Sequence, residues 1–313
     1  EYRRQRQMCI RDRSYGILYD DGAFDLFISE KKISHGFNEH VGENVTVFLP
    51  SQIPSRLATI SGENIQFDPA NSNVWARDLL FSANLTVIEK EDPCTLPKAC
   101  KNSVEIEGMK QCHIRDAVAE CNFLAWLDKE VGSGNLHDEG VLADKLDSFR
   151  ADQDKFRGIS FGTISAAGSN AAMCHYSHKN YDTPGKLEMD TVYLVDSGGQ
   201  YLDGTTDITR TVAIGNPDKF TKKAFTLVLK GHISLGSAQF PEGIAGQSLD
   251  TFARQHLWKE GLDFDHGTGH GVGCYLNVHE GPHRIGKGTN KVPLKEGMVV
   301  SNEPGYYEEG KFG

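Results

Sequence analysis

Several things are scarce in this sequence, and each scarcity removes a class of protein. No apolar run approaches the ~18 residues that a membrane-spanning helix needs, and nothing near the start has the pattern of a signal peptide. No basic tract offsets the formal net charge of -10, which argues against nucleic acid and anionic membranes as partners. No segment of about 20 to 50 residues repeats, so a solenoid is excluded. The seven cysteines (Cys9, Cys94, Cys100, Cys112, Cys121, Cys174 and Cys274) form no C-x-x-C pair and leave one over. That suits a reducing compartment better than a disulfide framework, and the expected location is cytoplasmic.

What remains is a 313-residue chain, 38% hydrophobic and 24% charged, long enough for one large core or two domains. It begins without Met, and EYRRQRQMCIRDR is a basic, patternless run, so residues 1–13 read as a non-native segment. The last residues, PGYYEEGKFG, stop within what reads as a connection between strands, so a fragment is expected. Residues 14–92 alternate strand-like runs (YGILYD, NVTVFLP, NIQFD, NLTVIEK) with turn signals and a helical candidate near 73–84, the pattern of a partial α/β domain. The Pro-bearing stretch 93–102 is the expected linker. From Ser103 the period becomes helical, with Ile114, Val118, Cys121 and Ala125 as the apolar stripe, widened by Leu124 and Leu127. A second helix is expected over 137–150, with Leu142 and Leu146 on one side. FGTISAAGSNAAMCHYSH reads as a small-residue loop, and two more helices are expected over 219–235 and 248–260.

The chemistry centres on DTVYLVDSGGQYLDGTTDITRTVAI, residues 190–214. Two apolar, β-branched runs flank a glycine-rich turn, and each carries a carboxylate at its turn end, Asp196 and Asp207. An ionised Asp beside Val and Leu is costly unless something pairs it. The period of two puts residues 192, 194 and 196 on one face and 207, 209 and 211 on one face, with Gly198, Gly199 and Gly204 letting the chain reverse. On this hairpin alone the two Asp read equally as turn caps or as a cation site. Met189, Tyr193 and Val195 read as core, and Arg210 as a salt-bridge partner. Downstream, HGTGHGVG places His266 and His270 in a run of glycines that permits close approach to another group. It lacks the Lys-Ser/Thr of a phosphate loop and the spacing of a dinucleotide fingerprint. VVSNEPG then puts Glu303 at the end of an apolar strand. Asp, Asp, His and Glu form a hard ligand set suited to Mn²⁺, Co²⁺, Zn²⁺ or Fe²⁺, and bridging carboxylates suggest two ions. Two ions about 3.5–4 Å apart can activate water and polarise a carbonyl, which is hydrolytic chemistry. Spacing alone makes His175, His178 and His279 no more than surface or core histidines.

The segments GMKQCHIRDAVAE, NAAMCHY, VDSGGQYLDGTTDITRT, HGTGHGVGCYLNVHEGP and SNEPGYYEEGKFG closely resemble the catalytic domain of the aminopeptidase P family. These are Xaa-Pro aminopeptidases of the creatinase/methionine aminopeptidase superfamily, peptidase family M24, and the resemblance runs over residues 103–313. It implies an α/β (α+β) chain with the pita-bread catalytic fold, incomplete at its C-terminus, preceded over 14–92 by a partial creatinase-like N-terminal domain. It further implies two divalent metal ions, most readily Mn²⁺, with Zn²⁺ or Co²⁺ as substitutes. Asp196 then resembles a ligand of one metal, Asp207 the bridging carboxylate, and His270 and Glu303 ligands of the second. A fifth, bridging Glu is expected just beyond Gly313. His175 and His266 resemble pocket-lining histidines and His279 the residue that steadies the tetrahedral intermediate, while Glu303 doubles as the proton shuttle for a metal-bridging hydroxide. His178 has no counterpart.

The implied substrates are peptides with proline at the second position, cleaved before the proline, and the implied assembly is a homodimer. An Xaa-Pro dipeptidase shares the same ligand set and is the nearest alternative. A non-catalytic peptide-binding module of the same fold is a more distant one, since retention of Asp196, Asp207, His270 and Glu303 argues against it.

Overall fold

The computed structural model describes residues 14–313, so the expected non-native segment at 1–13 lies outside the described residues. Contacts divide the chain into two units, 1–95 and 96–313.

In the first unit, β1 (Tyr15–Leu18) and β2 (Phe24–Phe27) pair antiparallel, and β2 pairs in parallel with β3 (Val45–Phe48) after the short α1 (Phe37–Val41). Following α2 (Ile53–Ala58), the strands β4 (Asn64–Phe67) and β5 (Thr86–Glu89) pair in parallel around α3 (Val74–Ser82). A helix between parallel strands is what the crossover requires. Asn73 caps α3 by accepting from the Ala76 amide at 2.8 Å. Phe27, Ile53, Leu57, Phe67, Leu80 and Leu85 close the core of this unit. All four strand-like runs read from the sequence are strands. The expected linker holds a short helix, α4 (Thr95–Ala99), in which Pro97 sits within the first turn and its absent N–H costs nothing.

The second unit opens with the 30-residue α5 (Ser103–Gly132). Asn102 and Glu105 form a capping box at its start: the Asn102 side chain accepts from the Glu105 amide at 3.0 Å, and the Glu105 carboxylate accepts from the Asn102 amide at 2.9 Å. Its buried face is not the expected stripe. Met109, Cys112, Asp116, Ala119, Glu120, Phe123 and Leu127 point inward, while Ile114 and Val118 are 59% and 48% exposed. Counting apolar positions misplaced the face because the inward side carries two acids. Both are matched by Arg150 of α6 (Glu139–Ala151), whose Nε donates to Asp116 at 2.8 Å with Glu120 at 3.6 Å.

The loop expected at 161–178 is partly sheet. After β6 (Phe156–Ile159), the strand β7 (Ile164–Ala167) pairs antiparallel with β8 (Thr191–Ser197), and β8 pairs antiparallel with β11 (Ile208–Ile214). All four residues are buried, and the three small ones, Ser165, Ala166 and Ala167, let the sheet lie close to α6 and disguised β7 in the sequence. Phe123, Leu127, Leu142, Leu146, Leu187, Tyr193, Val195 and Ile214 fill the space between the helices and this sheet. Burying each such side chain contributes roughly 1.5–3 kcal/mol. Met189, expected in the core, is instead 52% exposed, beside the turn at Asp190, whose φ is +64°.

Beyond Ser197 the chain continues into β9 (Gly199–Tyr201), which turns at Leu202–Asp203 into β10 (Gly204–Thr205) and pairs on its other edge with β6. Gly198 and Gly204 are therefore not the reversing residues. A Cβ on Gly198 would overlap the Thr206 carbonyl, and one on Gly204 the Cys112 thiol, so both serve close approach. Helices α7 (Lys219–Gly236) and α8 (Gly246–Trp258) pack on one another, with Gly231 against the Ala253 carbonyl. The short pair β12 (Gly269–His270) and β13 (Arg284–Ile285) completes the unit. Among the described residues, no helix is long and apolar enough to cross a membrane.

Candidate metal centre

Strand β8 delivers Asp196 opposite Thr209 of β11, and Asp207 immediately precedes β11. The hairpin thus carries both carboxylates at one end. Burial pushes the Asp196 carboxyl well above its usual range, and the neighbouring Asp207 charge pushes it the same way. That mutual repulsion is the mark of two acids crowded at one place.

The HGTGHG loop meets them there. None of its glycines has a left-handed φ, so their use is space. A Cβ on Gly269 would overlap the Ser301 carbonyl, and one on Gly271 the Glu280 carbonyl. This closeness lets residues 299–303 run beside 268–272, with Ser301 N donating to His270 O at 2.9 Å and Glu303 N to Thr268 O at 2.7 Å. Glu303 is therefore held by its amide beside Thr268, in a segment paired too sparsely to be the strand expected there. Arg254, fully buried in α8, steadies the loop from below through Phe264 O at 2.5 Å and His266 O at 2.8 Å.

These elements converge on one imidazole. His270 Nε2 lies 3.2 Å from Asp207 Oδ2 and 2.9 Å from Glu303 Oε1. Burial lowers the His270 pKa, but the two carboxylates outweigh it and hold the group up to about 10. His270 in turn, against the burial that raises it, holds the Glu303 carboxyl below its usual range, helped by a short hydrogen bond from the Ser301 hydroxyl. The rings of His270 and His279 meet edge to face with centroids 4.2 Å apart. One donor atom each from Asp207, His270 and His279 fall within 4.8 Å of one another. Partial burial, and then the His270 charge, lower the His279 pKa, which favours the neutral imidazole with its lone pair free to donate.

The donors fit a divalent cation. Asp196 Oδ1 is buried without a hydrogen-bond partner although it is a strong acceptor, and His270 Nε2, close to two carboxylates, makes no well-aligned hydrogen bond to either. Carboxylate oxygens and imidazole nitrogens in a cluster of excess negative charge are what Mn²⁺, Zn²⁺ or Co²⁺ take.

His266 stands at the side of this cluster. Its Nε2 is 2.8 Å from the Tyr307 hydroxyl, and it contributes to lowering the Glu303 pKa. His175 is exposed on its loop, near enough for its charge to act on His279. His178 is buried elsewhere, packed by Gly140 at the start of α6, and takes no part. Arg210 is exposed and turns back to the Thr209 carbonyl rather than pairing with an acid. Sequence reading passed over Ser301 and Tyr307. The signal for Tyr307 was present, in an aromatic four residues after Glu303, yet only the structure shows its half-buried place and its bond to His266.

Comparisons with known proteins agree with this geometry. The profile of metallopeptidase family M24 matches residues 107–313, and that of the creatinase/prolidase N-terminal domain matches residues 13–105. The chain is 46% identical over 313 residues to a probable Xaa-Pro aminopeptidase P of Talaromyces marneffei, covering 96% of this chain and 47% of that protein. Among solved structures it resembles the X-prolyl aminopeptidase of Caenorhabditis elegans, described as a cytosolic enzyme with a di-nuclear active site. Identity there is 40% and the TM-score 0.86, over 96% of this chain and 49% of that one. It also resembles the prolidase of Thermococcus sibiricus, with 27% identity and a TM-score of 0.74 over 97% of this chain and 81% of that one. The chain spans about half the length of the curated relatives it matches. The pita-bread fold expected from the sequence is the fold of these neighbours. Matched by the family profile over residues 107–313, and carrying a carboxylate–histidine cluster on a pita-bread unit, this chain belongs to metallopeptidase family M24.

Proposed function

We propose that the protein containing this chain is a metal-dependent aminopeptidase that removes an N-terminal residue standing before proline. The observation that carries the reading is the convergence of Asp207 and Glu303 on His270, with Asp196 and His279 beside them. Asp196, Asp207, His270 and Glu303 would hold two divalent ions, Mn²⁺ foremost, with a further carboxylate expected after residue 313. Bound there, the ions would supply Lewis-acid polarisation of the scissile carbonyl and an acidic water.

The protein's own groups do the rest. Glu303, held below the usual carboxylate range, accepts the proton of the attacking water and passes it to the leaving proline nitrogen. His279 donates a hydrogen bond to the oxyanion, and pre-organised donors of this kind act on charge that exists only in the transition state. His175 and His266 line the pocket, with His266 oriented by Tyr307. The bond before proline is a tertiary amide with no N–H, so the site must recognise ring shape rather than an amide donor. The domain reading follows, with 103–313 as the catalytic domain, 14–92 as a creatinase-like domain before it and a homodimer as the working assembly. A cytoplasmic site of action suits the six free cysteines among the described residues.

The prolidase-like neighbours favour one rival, an Xaa-Pro dipeptidase. The deciding assay offers the full-length protein, loaded with Mn²⁺, an Xaa-Pro-Yaa tripeptide and the matching Xaa-Pro dipeptide. Release of the first residue from the tripeptide with a kcat/KM at least about tenfold above that for the dipeptide is expected, a discrimination of ~1.4 kcal/mol. Cleavage of the dipeptide alone would establish the rival, and no cleavage of either would end the reading.

A further inference from the structure

The three residues that lead into His279, Tyr275, Leu276 and Asn277, all have left-handed backbone, with φ of +63°, +63° and +48°. None is glycine, and consecutive left-handed L-residues persist only where their surroundings over-determine them. Two sets of contacts do so here.

On the N-terminal side, Gln200 of β9 is buried, and its Oε1 accepts from the Leu276 amide at 2.8 Å. The Thr205 hydroxyl of β10 lies 2.7 Å from the same Oε1 and 3.1 Å from the Leu276 carbonyl oxygen. On the C-terminal side, the buried carboxylate of Glu280 pairs closely with Lys101, whose side chain is 1% exposed, and more loosely with Lys98 at 3.4 Å. Lys101 is itself fixed by its amide, which donates to Gly297 O at 2.9 Å. Glu280 N donates to Gly271 O at 2.8 Å, so the peptide that follows His279 is pinned against the carbonyl of Gly271, the residue next to His270.

We infer that Gln200 and Lys101 are positioning residues that clamp the strained turn and thereby fix the His279 imidazole beside His270. The inference rests on the role proposed for His279. It also connects parts of the chain that sequence spacing does not relate. Gln200 lies on the strand that continues from Asp196, so one hairpin sets both the acid donors and the histidine across from them. Lys101 is a buried cation whose partner is the immediate neighbour of His279. Rotation of that imidazole away from the reacting carbonyl would lower turnover while leaving the peptide's other contacts in place.

The test uses the full-length, Mn²⁺-loaded protein with an Xaa-Pro-Yaa tripeptide, and hydrogen exchange of the Leu276 amide in metal-free protein. Gln200→Leu and Lys101→Met are each expected to lower kcat about tenfold or more with KM within about a factor of two, as displaced catalytic groups do. Gln200→Glu, which keeps the acceptor, is expected to retain most of the turnover. In a His279→Ala background neither substitution lowers kcat further, because the group they position is gone. Leu276 exchange accelerates in Gln200→Leu whether or not any peptide is cleaved, so the clamp is tested even if the proposed activity fails. Should Lys101→Met not fold, Lys101→Arg takes its place, with retained kcat expected because the charge pairing survives. The same fractional loss of kcat in the His279→Ala background, or unchanged Leu276 exchange in Gln200→Leu, would overturn the inference.

Discussion

Replacing Arg150 by Met removes a guanidinium set between two buried acids. Arg150 is fully buried, its Nε donates to Asp116 Oδ1 at 2.8 Å and its Nη2 to Asp116 Oδ2 at 3.1 Å, and Glu120 lies 3.6 Å away. Tyr201 adds one hydroxyl to Asp116 at 2.8 Å. The pairing is incomplete even in the native chain, since both Glu120 oxygens and Arg150 Nη1 lack hydrogen bonds, and burial raises the Glu120 pKa despite the Arg150 charge. An intact network of this kind is close to neutral for stability, but breaking it strands a charge and costs about 3–5 kcal/mol. For a unit of this size each kcal/mol moves the midpoint about 2–4 °C, so Arg150→Met should melt roughly 6–20 °C lower. Scanning calorimetry reads this directly. Adding Asp116→Asn and Glu120→Gln to Arg150→Met removes the stranded charges and should restore more than half of the loss. The reasoning is refuted if Arg150→Met melts within about 4 °C of the parent, or if the neutralised triple variant is no more stable than the single one.

Two further outcomes follow from other parts of the second unit. Burial raises the Asp263 pKa, but Lys287, the Phe264 amide and Arg254 outweigh it and hold the group far below the ordinary 3.8. The unfolded chain therefore takes up this proton first as the pH falls, and the stability Asp263 supplies is complete above about pH 5 and lost as the pH drops below 4. Asp263→Asn should lower the urea midpoint by a constant amount at pH 5–7, with the gap narrowing progressively as the pH falls below about 4; a gap that widens in acid would contradict the assignment. Gly271→Ala places a methyl against the Glu280 carbonyl and 2.6 Å from His283 Cε1. Overpacking of this kind costs about 1–3 kcal/mol, and because it falls beside His270 it should also weaken Mn²⁺ binding, measured by calorimetric titration. Unchanged stability and affinity together would show that the loop has room to spare.

The candidate site was more legible in the sequence than the packing around it. Asp196, Asp207, His270 and Glu303 stood out because carboxylates at the ends of apolar runs, and histidine between glycines, are expensive patterns to keep without a reason. Their convergence depends on close backbone approach at Gly269 and Gly271, which glycine spacing announces. The buried face of α5 was misread for the opposite reason, since Asp116 and Glu120 look like surface residues until Arg150, 34 positions from Asp116, is seen to match them. Strand β7 was hidden because ISAA carries too little apolar bulk to signal a strand, although that smallness is what lets it lie between α6 and β8. Nor could the turn over 275–277 be foreseen, because only Asn277 has any leaning toward left-handed backbone, Tyr275 and Leu276 have none, and the contacts that enforce it come from Gln200 and Thr205.

The central claim is that Asp196, Asp207, His270 and Glu303 are ligands of a shared pair of divalent ions. It is tested most directly by counting metal in the full-length protein after saturation with Mn²⁺ and desalting. The account predicts two ions per chain in the parent, with Asp207→Asn retaining at most one and binding it at least tenfold more weakly. Two tightly held ions in Asp207→Asn, or none in the parent, would contradict it.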